Sequence, residues 1–263
     1  MHLKGTTSDE MALIFPHTPI LVGYRGSIAH NMYIPSDHPS SIDDKDVMGV
    51  SIAPLSCYFG LDTFEGKETF LREWDVVVYE LRKFVRLLEK SNPNVLGLLW
   101  LRPQHYLCVT NAGQQLLDAR ALFMTRQLYY AFTGYAHGQL KRMTHHAYQG
   151  YMGEKRKKLV DEVGYDAKNA AHLIRLLLMG TEALLTGELQ VFRHDAPQLL
   201  EIKRGGWTLA QVQAEAERLF HRAEAAFDRC ILPLRPSREA VNHLLCGILE
   251  EYFSSNFNKS IAC

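Results

Sequence analysis

Three aspartates at the starts of two predicted strands are the residues whose types and spacing best fit catalysis. Asp44 and Asp46 precede an apolar run, and Asp75 opens the β-branched run of residues 74–79. Side chains two positions apart on a strand point to the same side of a sheet, so Asp44 and Asp46 would lie together. Adjacent carboxylates repel each other unless a cation neutralises them, and oxygen ligands suit Mg²⁺ or Mn²⁺. We therefore predict a divalent metal site, which Asp75 completes if its strand lies beside the first.

The dipeptide Gly26-Ser27 is a second candidate feature. It follows the apolar run of residues 20–24, which predicts a buried strand that ends in a tight turn. Backbone N–H groups and a hydroxyl at such a turn can bind the β- and γ-phosphates of a nucleotide. Three carboxylates that hold two metal ions beside those phosphates would activate an attacking oxygen and stabilise a leaving pyrophosphate.

Each of these motifs alone also has an ordinary structural explanation. A Gly-Ser turn occurs in most proteins, an Asp-x-Asp before a strand is often a solvated turn, and a single aspartate is common at a strand edge. Their order along the chain indicates a site, because a strand, Gly26-Ser27, Asp44-x-Asp46 and a later strand beginning near Asp75 follow one another.

A cationic stripe is predicted in the second half of the chain. Lys168, His172 and Arg175 stand at i, i+4 and i+7, so they share one face of a predicted helix. Such a stripe could bind a triphosphate and neutralise the leaving pyrophosphate, although a solvated helix face has the same spacing. The sequence does not decide whether four further cations contact substrate: Lys141, Arg142, Lys203 and Arg204.

The surrounding pattern predicts an α+β protein. Strands are expected at residues 20–24, 44–52 and 74–79, with an irregular segment over residues 55–72. Beyond residue 112 strand patterns are absent, and a helix over residues 112–148, interrupted at Gly134, is followed by helices near residues 168–186, 207–229 and 238–253. We expect a catalytic domain over residues 1–110 and a helical domain over residues 111–263.

Composition limits the classes of function. The chain has 263 residues, 47% of them hydrophobic, and 29 basic and 29 acidic residues give a formal net charge of zero. Nothing global therefore draws the protein to nucleic acid or to an anionic membrane, and there is no strong indication of DNA binding. Five irregularly spaced cysteines favour free thiols in a reducing compartment, and no signal or membrane-spanning run is evident. A cytoplasmic protein is expected.

The motifs together resemble the DNA polymerase β-like nucleotidyltransferase superfamily, and within it the predicted bacterial and phage nucleotidyltransferase branch. The first half carries the resemblance in Gly26-Ser27-x-Ala29, Asp44-x-Asp46-x-x-Gly49-Val50, residues 75–79, Lys83-Phe84 and Asn92-Pro93-Asn94. The second half carries it in Tyr135-Ala136, Gln139-Leu140, Asp166-x-Lys168 with His172 and Arg175, and residues 186–189. The loop before Asp44 is longer than that of the family.

The resemblance implies a small mixed β-sheet that bears the three carboxylates, as in a polymerase β-like palm, and a helical domain that covers the nucleotide. The activity expected is transfer of a nucleoside monophosphate from an NTP to an acceptor hydroxyl, with Mg²⁺ or Mn²⁺ bound. No base-reading motif is evident, and ATP is the NTP we expect. The acceptor is left open among a small molecule, a protein and an RNA end. Two alternatives remain, a non-catalytic nucleotide-binding or antitoxin-like regulator and an RNA or tRNA end-modifying enzyme.

Overall fold

The computed structural model of the protein describes residues 3–35, 42, 45–144 and 153–261, with side chains through residue 255. Among the predicted site residues, Asp44 lies outside this part of the chain. The described residues form a sheet and a larger number of helices, which confirms the predicted α+β class.

The described strands and helices have the following bounds. The strands are β1 (Thr18–Tyr24), β2 (Lys45–Ile52), β3 (Gly66–Leu71), β4 (Trp74–Glu80) and β5 (Tyr106–Val109). The helices are α1 (Ser8–Ile14), α2 (Gly26–Ala29), α3 (Ser56–Phe59), α4 (Leu81–Glu89), α5 (Pro93–Leu96), α6 (Asn111–Asp118), α7 (Gln127–Thr144), α8 (Glu154–Val163), α9 (Ala167–Thr186), α10 (Ala196–Lys203), α11 (Leu209–Arg229) and α12 (Arg238–Ile261). Short 3₁₀ turns cover Gly97–Trp100, Pro103–His105 and Arg120–Phe123.

The strands predicted from sequence form the centre of the sheet. In the strand order β3-β4-β2-β1-β5, the middle three are β4, β2 and β1. β2 and β4 run parallel, and the other neighbouring pairs are antiparallel. The sheet is therefore mixed, as predicted, and its parallel pair carries Asp46 and Asp75 on neighbouring strands.

The two edge strands, β3 and β5, were not predicted from the sequence. The prediction that residues 55–72 are irregular is wrong in part, because they contain α3 and β3. Side chains of β3 alternate between exposed and half-buried, and β5 is only four residues long with no fully buried side chain. Edge strands of this kind lack the buried apolar run from which a strand can be predicted.

An apolar cluster covers one face of the sheet. Its buried members are Leu3, Ile14, Phe15, Val22, Val47, Trp74, Val76 and Val78. Successive side chains on a strand point to opposite faces, so the positions between these residues belong to the other face. The core therefore fixes the direction in which the predicted site residues of β2 and β4 point.

The chain divides into two compact units. The first contains residues 1–89, 94–123 and 236–263, and the second contains residues 90–93 and 124–235. Neither unit ends at residue 110, where the domain boundary was predicted. The difference has a physical cause: α6 packs on β1, and α12 packs on α6 and α4, so both helices belong to the sheet unit.

The second unit is built around α9. This helix packs against α7, α10 and α11, and most of its side chains are buried. Asp166 caps its first turn by accepting hydrogen bonds from the backbone N–H groups of Lys168 and Asn169, and Gly187 ends it in the left-handed conformation. Arg156 donates two hydrogen bonds, of 3.1 and 2.5 Å, to the same Asp166 carboxylate. The contact attaches α8 to the start of α9.

The helical pattern over residues 112–148 is divided differently from the prediction. α6 ends at Asp118, a 3₁₀ turn follows, and α7 runs from Gln127 to Thr144 without a break at Gly134. Gly134 is exposed, and a Cβ at this position would meet no atom within 4 Å. A glycine on the solvent side of a long helix weakens the helix without ending it.

In the part of the chain that the structure describes, no helix is both long enough and apolar enough to cross a membrane.

Candidate active site

Asp46 and Asp75 are direct neighbours on the two parallel strands. Asp46 on β2 is in register with Asp75 on β4, and Lys45 is in register with Trp74. Because Val47, Trp74 and Val76 point into the apolar cluster, both aspartates point to the opposite face. Neighbouring strands lie about 4.8 Å apart, so the two carboxylates are close enough to bind one cation. The structure thus brings these two predicted residues together.

Gly26 lies in contact with Asp46. Its φ is +60°, and a Cβ built at this position would lie 1.8 Å from Oδ2 of Asp46. The preceding backbone N–H, from Arg25, donates a hydrogen bond of 2.9 Å to the carbonyl oxygen of Asp46. Ser27 follows in the first turn of α2 and is buried. Only a glycine allows the turn to approach the carboxylate this closely.

Arg25 is a site residue that the sequence reasoning missed. A guanidinium nitrogen of Arg25 lies 2.9 Å from Oδ1 of Asp75, and each side chain is about one third exposed, at 33% and 31%. On β1, Val22 packs in the apolar cluster, so alternation directs Gly23 and Arg25 to the face of Asp46 and Asp75. That alternation, read from the predicted strand, is the signal by which Arg25 could have been found.

The donor set fits a divalent metal ion. Asp46 and Asp75 offer carboxylate oxygens, both are partly accessible, and oxygen ligands are those that Mg²⁺ prefers. Within the described residues no group of three or more histidine, cysteine, aspartate or glutamate side chains forms a metal site. The third predicted ligand, Asp44, lies outside the described residues. The two described carboxylates are therefore the part of the site that the structure defines.

The three residues of the predicted cationic stripe lie close together in the helical unit. Lys168, His172 and Arg175 lie on α9, where Lys168 is exposed and the other two side chains are half-buried. Arg142, from α7, is close enough to act electrostatically on His172. Arg142 thus joins the predicted set, whereas Lys141 lines a groove between α7 and α11.

Burial is the main influence on the ionisation of this cluster. Burial, followed by the charges of Arg175, Lys168 and Arg142, holds the pKa of His172 well below its ordinary value. Burial also lowers the pKa of Arg175 to about 10, with a contribution from nearby Arg193. His172 is therefore neutral at pH 7, and the charge of the cluster comes from its lysine and arginines.

A buried arginine stiffens the end of α9. Arg193 is 3% exposed and forms paired hydrogen bonds of 2.5 and 2.9 Å to Glu182 and of 2.9 and 2.6 Å to Asp195. Burial opposes its charge, but the hydrogen bonds to Asp195 and Glu182 raise the pKa of Arg193 above its ordinary value. The ion pairs with Glu182 and Asp195 explain why a charged arginine is buried at this position. The predicted residues Lys203 and Arg204 lie at the end of α10.

The predicted residues thus form two groups. Gly26, Ser27, Asp46 and Asp75 belong to the sheet unit, and Lys168, His172 and Arg175 belong to the helical unit. The sheet unit thus carries two carboxylates on adjacent central strands beside a Gly-Ser turn.

Residues 38–246 match the RNA repair pathway DNA polymerase beta family, and the chain belongs to this family. The matched span includes all three predicted aspartates and the cationic stripe, and it begins after Gly26-Ser27. A nucleotidyltransferase-like protein from Exiguobacterium sibiricum is a structural neighbour with 10% sequence identity and a TM-score of 0.28, over 84% of this chain and 72% of that one. No curated protein matches the sequence. The family assignment rests on the sequence match.

The contact between Gly26 and Asp46 predicts an unusually costly substitution. Alanine at Gly26 would be strained by its φ of +60° and would also collide with the Asp46 carboxylate. Gly164 has a φ of +80°, but a Cβ there would meet no atom within 4 Å, so alanine would suffer the strain without the collision. We expect about 1–2 kcal/mol of lost stability for Gly164→Ala and about 1–3 kcal/mol more for Gly26→Ala, measured by urea denaturation. Equal losses would show that the close approach does not exist.

The lowered pKa of His172 predicts a pH dependence of stability. Below the ordinary value of 6.5, the unfolded chain takes up a proton that the folded protein does not, so stability falls as the pH falls from about 6.5 towards the folded pKa. We expect His172→Gln to lose less stability than the wild type between pH 7 and pH 5. Replacement of the exposed His243 by glutamine is the matched control and should follow the wild type. Parallel curves for all three proteins would contradict the burial of a neutral imidazole.

Proposed function

We propose that the protein is a metal-dependent nucleotidyltransferase that moves a nucleoside monophosphate from an NTP, with ATP as the first candidate, to an acceptor hydroxyl. Mg²⁺ or Mn²⁺ is the proposed metal. The observation that supports this most is the in-register pair Asp46 and Asp75 on one face of the sheet, with Gly26 against Asp46. Family membership supports the same class of reaction.

In the proposed site, Asp44, Asp46 and Asp75 hold the metal, and the Gly26-Ser27 turn binds the triphosphate through backbone N–H groups. A bound divalent metal ion would supply positive charge that polarises the phosphates and stabilises the leaving pyrophosphate. The apolar cluster beneath β2 and β4 holds the aspartates in place, because Val47 and Val76 are completely buried beside them.

The reaction proposed is an in-line displacement. The acceptor oxygen forms a bond to the α-phosphorus, and the bond from that phosphorus to the bridging oxygen of pyrophosphate breaks. The hydroxyl proton passes to a carboxylate oxygen of Asp75, which is partly accessible to solvent. Within the helical unit by itself, the cations Lys168, Arg175 and Arg142 around neutral His172 are proposed as a site for phosphate groups.

The roles of the two described aspartates predict the effect of removing their charge. We expect Asp46→Asn and Asp75→Asn each to lower pyrophosphate release by about 100-fold or more, since each loses a charge that acts on the transition state. Glu73→Gln is the matched control, because Glu73 is a nearby carboxylate that pairs with Lys45 at 2.5 Å. Pyrophosphate release with each NTP and Mg²⁺ is the measurement.

Two outcomes would contradict the enzymatic proposal. If the Asp46→Asn and Asp75→Asn variants release pyrophosphate at the wild-type rate, these carboxylates do not take part in the reaction. Tight NTP binding with no pyrophosphate release under any metal would instead support the nucleotide-binding regulatory alternative.

For the acceptor, we propose the terminal hydroxyl of an RNA. The description of the family as an RNA repair pathway family supports this choice over a small molecule or a protein. Because the net charge is zero, RNA contacts would come from local cations, and Lys141 and Arg142 at the end of α7 are the candidates.

The acceptor proposal predicts selectivity among RNA ends. Labelled NTP should be incorporated into an oligoribonucleotide that ends in a 3′-hydroxyl and not into the same oligomer ending in a 3′-phosphate or a 3′-deoxynucleotide. Gel analysis of the labelled RNA is the measurement. Incorporation that is independent of the 3′ end, or label found on protein, would contradict it.

A further inference from the structure

The ion pair between Arg25 and Asp75 joins residues from strands that are not adjacent. Arg25 follows β1 and Asp75 lies on β4, with β2 between them in the sheet. Two strand spacings amount to about 9–10 Å, so the arginine side chain extends across the end of β2 to reach its partner. Asp46 lies on β2 at that level and on the same face. The guanidinium therefore lies beside Asp75, on the face of the sheet that carries the candidate metal site.

This placement puts Arg25 in competition with a metal ion. A 2.9 Å contact to Oδ1 of Asp75 neutralises one of the carboxylates that the proposed function assigns to the metal. A guanidinium and a divalent cation that share the same carboxylates repel each other, because their positive charges lie only a few ångströms apart. Coordination of a metal by Oδ1 of Asp75 requires the arginine to leave this oxygen.

Two observations indicate where Arg25 would move. Its Nε atom is buried and has no hydrogen-bond partner among the described residues, so one donor of the guanidinium is unsatisfied. The residue also directly precedes Gly26-Ser27, the turn proposed to bind the triphosphate, and its own N–H is fixed to Asp46. A phosphate group beside that turn would offer the planar guanidinium two oxygens at once.

We propose that Arg25 is an internal counter-ion that occupies Asp75 in the absence of substrate and transfers to the triphosphate when metal and nucleotide bind. The inference rests on the proposed function. Arg25 thereby weakens metal binding to the free protein and strengthens binding of the metal–nucleotide complex. The carboxylate of Asp75 becomes available at the step at which the nucleotide arrives.

Opposite effects on two affinities test this role. We expect Arg25→Gln to bind Mn²⁺ about tenfold more tightly than the wild type without nucleotide, because a neighbouring positive charge is lost. The same variant should bind a non-hydrolysable ATP analogue with Mg²⁺ about tenfold more weakly, because a charged phosphate contact is lost. Mn²⁺ binding is measured by electron paramagnetic resonance and nucleotide binding by calorimetry.

Lys45→Gln is the matched control. It removes the same charge one residue from Asp46, but Lys45 lies over the Trp74 ring and pairs with Glu73 on the opposite face. Its two affinities should stay within about twofold of the wild type, since the charge of Lys45 is already paired with Glu73 on the far face of the sheet. A purely structural arginine would weaken both affinities when replaced, and that result, or an equal effect of Lys45→Gln, would overturn the proposal.

Two further measurements separate this inference from the proposed function. If Asp46→Asn leaves Mn²⁺ affinity unchanged, the metal site itself is wrong and the role of Arg25 falls with it. If Asp46→Asn abolishes Mn²⁺ binding while Arg25→Gln does not raise it, only the role of Arg25 is wrong.

Should Arg25→Gln fail to fold, the Nε–H resonance of Arg25 in the wild type provides the test, with Arg25→Lys for assignment. Titration with Mg²⁺ and the ATP analogue should shift it, and an unchanged resonance would overturn the proposal.

Discussion

The repulsion between two carboxylates in register on neighbouring strands is the constraint on which the rest of the site depends. Asp46 and Asp75 face each other on β2 and β4, and like charges at such positions cost up to about 1 kcal/mol. Burial of one valine or larger apolar side chain contributes about 1.5–3 kcal/mol, and Val47, Trp74 and Val76 are all buried on the other face. The core therefore holds the carboxylates together in spite of their charge.

Local features of the chain moderate this repulsion. Arg25 neutralises Asp75, both residues remain about one third exposed, and the glycine at position 26 lets the turn lie against Asp46. Without a side chain on Gly26, the backbone, the carboxylate and the arginine all fit within one small region. The arrangement balances the charge of Asp75, and we propose that Arg25 leaves this carboxylate when substrate binds.

In the helical unit, several positively charged side chains lie close together and repel one another. α9 is largely buried, Arg156 of α8 binds Asp166 at its beginning, and Arg193 binds Glu182 near its end. Lys168 and Arg175 project from this rigid helix near Arg142. Burial keeps His172 neutral, which limits the repulsion within the cluster. A helix that is packed on several sides and carries a concentration of positive charge is suited to bind phosphates.

The sequence predicts the parts of this protein that have a strong local signal. The three central strands follow from β-branched apolar runs, and the helices predicted near residues 168–186 and 207–229 are α9 and α11. The edge strands β3 and β5 could not be predicted, because their side chains are mostly exposed or half-buried and pairing with a neighbour defines them. The extent of the sheet unit also depends on long-range packing, since α12 joins it from the far end of the chain. The candidate site shows the same division. Motif spacing identifies Asp46, Asp75 and Gly26, whereas Arg25 belongs to no motif. Strand alternation gives the face on which Arg25 lies, and a contact across an intervening strand identifies its partner Asp75.

Asp46 and Asp75 are proposed to bind one metal ion between them, and the mechanism depends on that shared ion. Crystals soaked with Mn²⁺ and a non-hydrolysable ATP analogue, measured at the manganese absorption edge, test it most directly. We predict an anomalous peak within roughly 2.5 Å of oxygens from both carboxylates. Its absence from this position, or a peak bound by neither aspartate, would contradict the account.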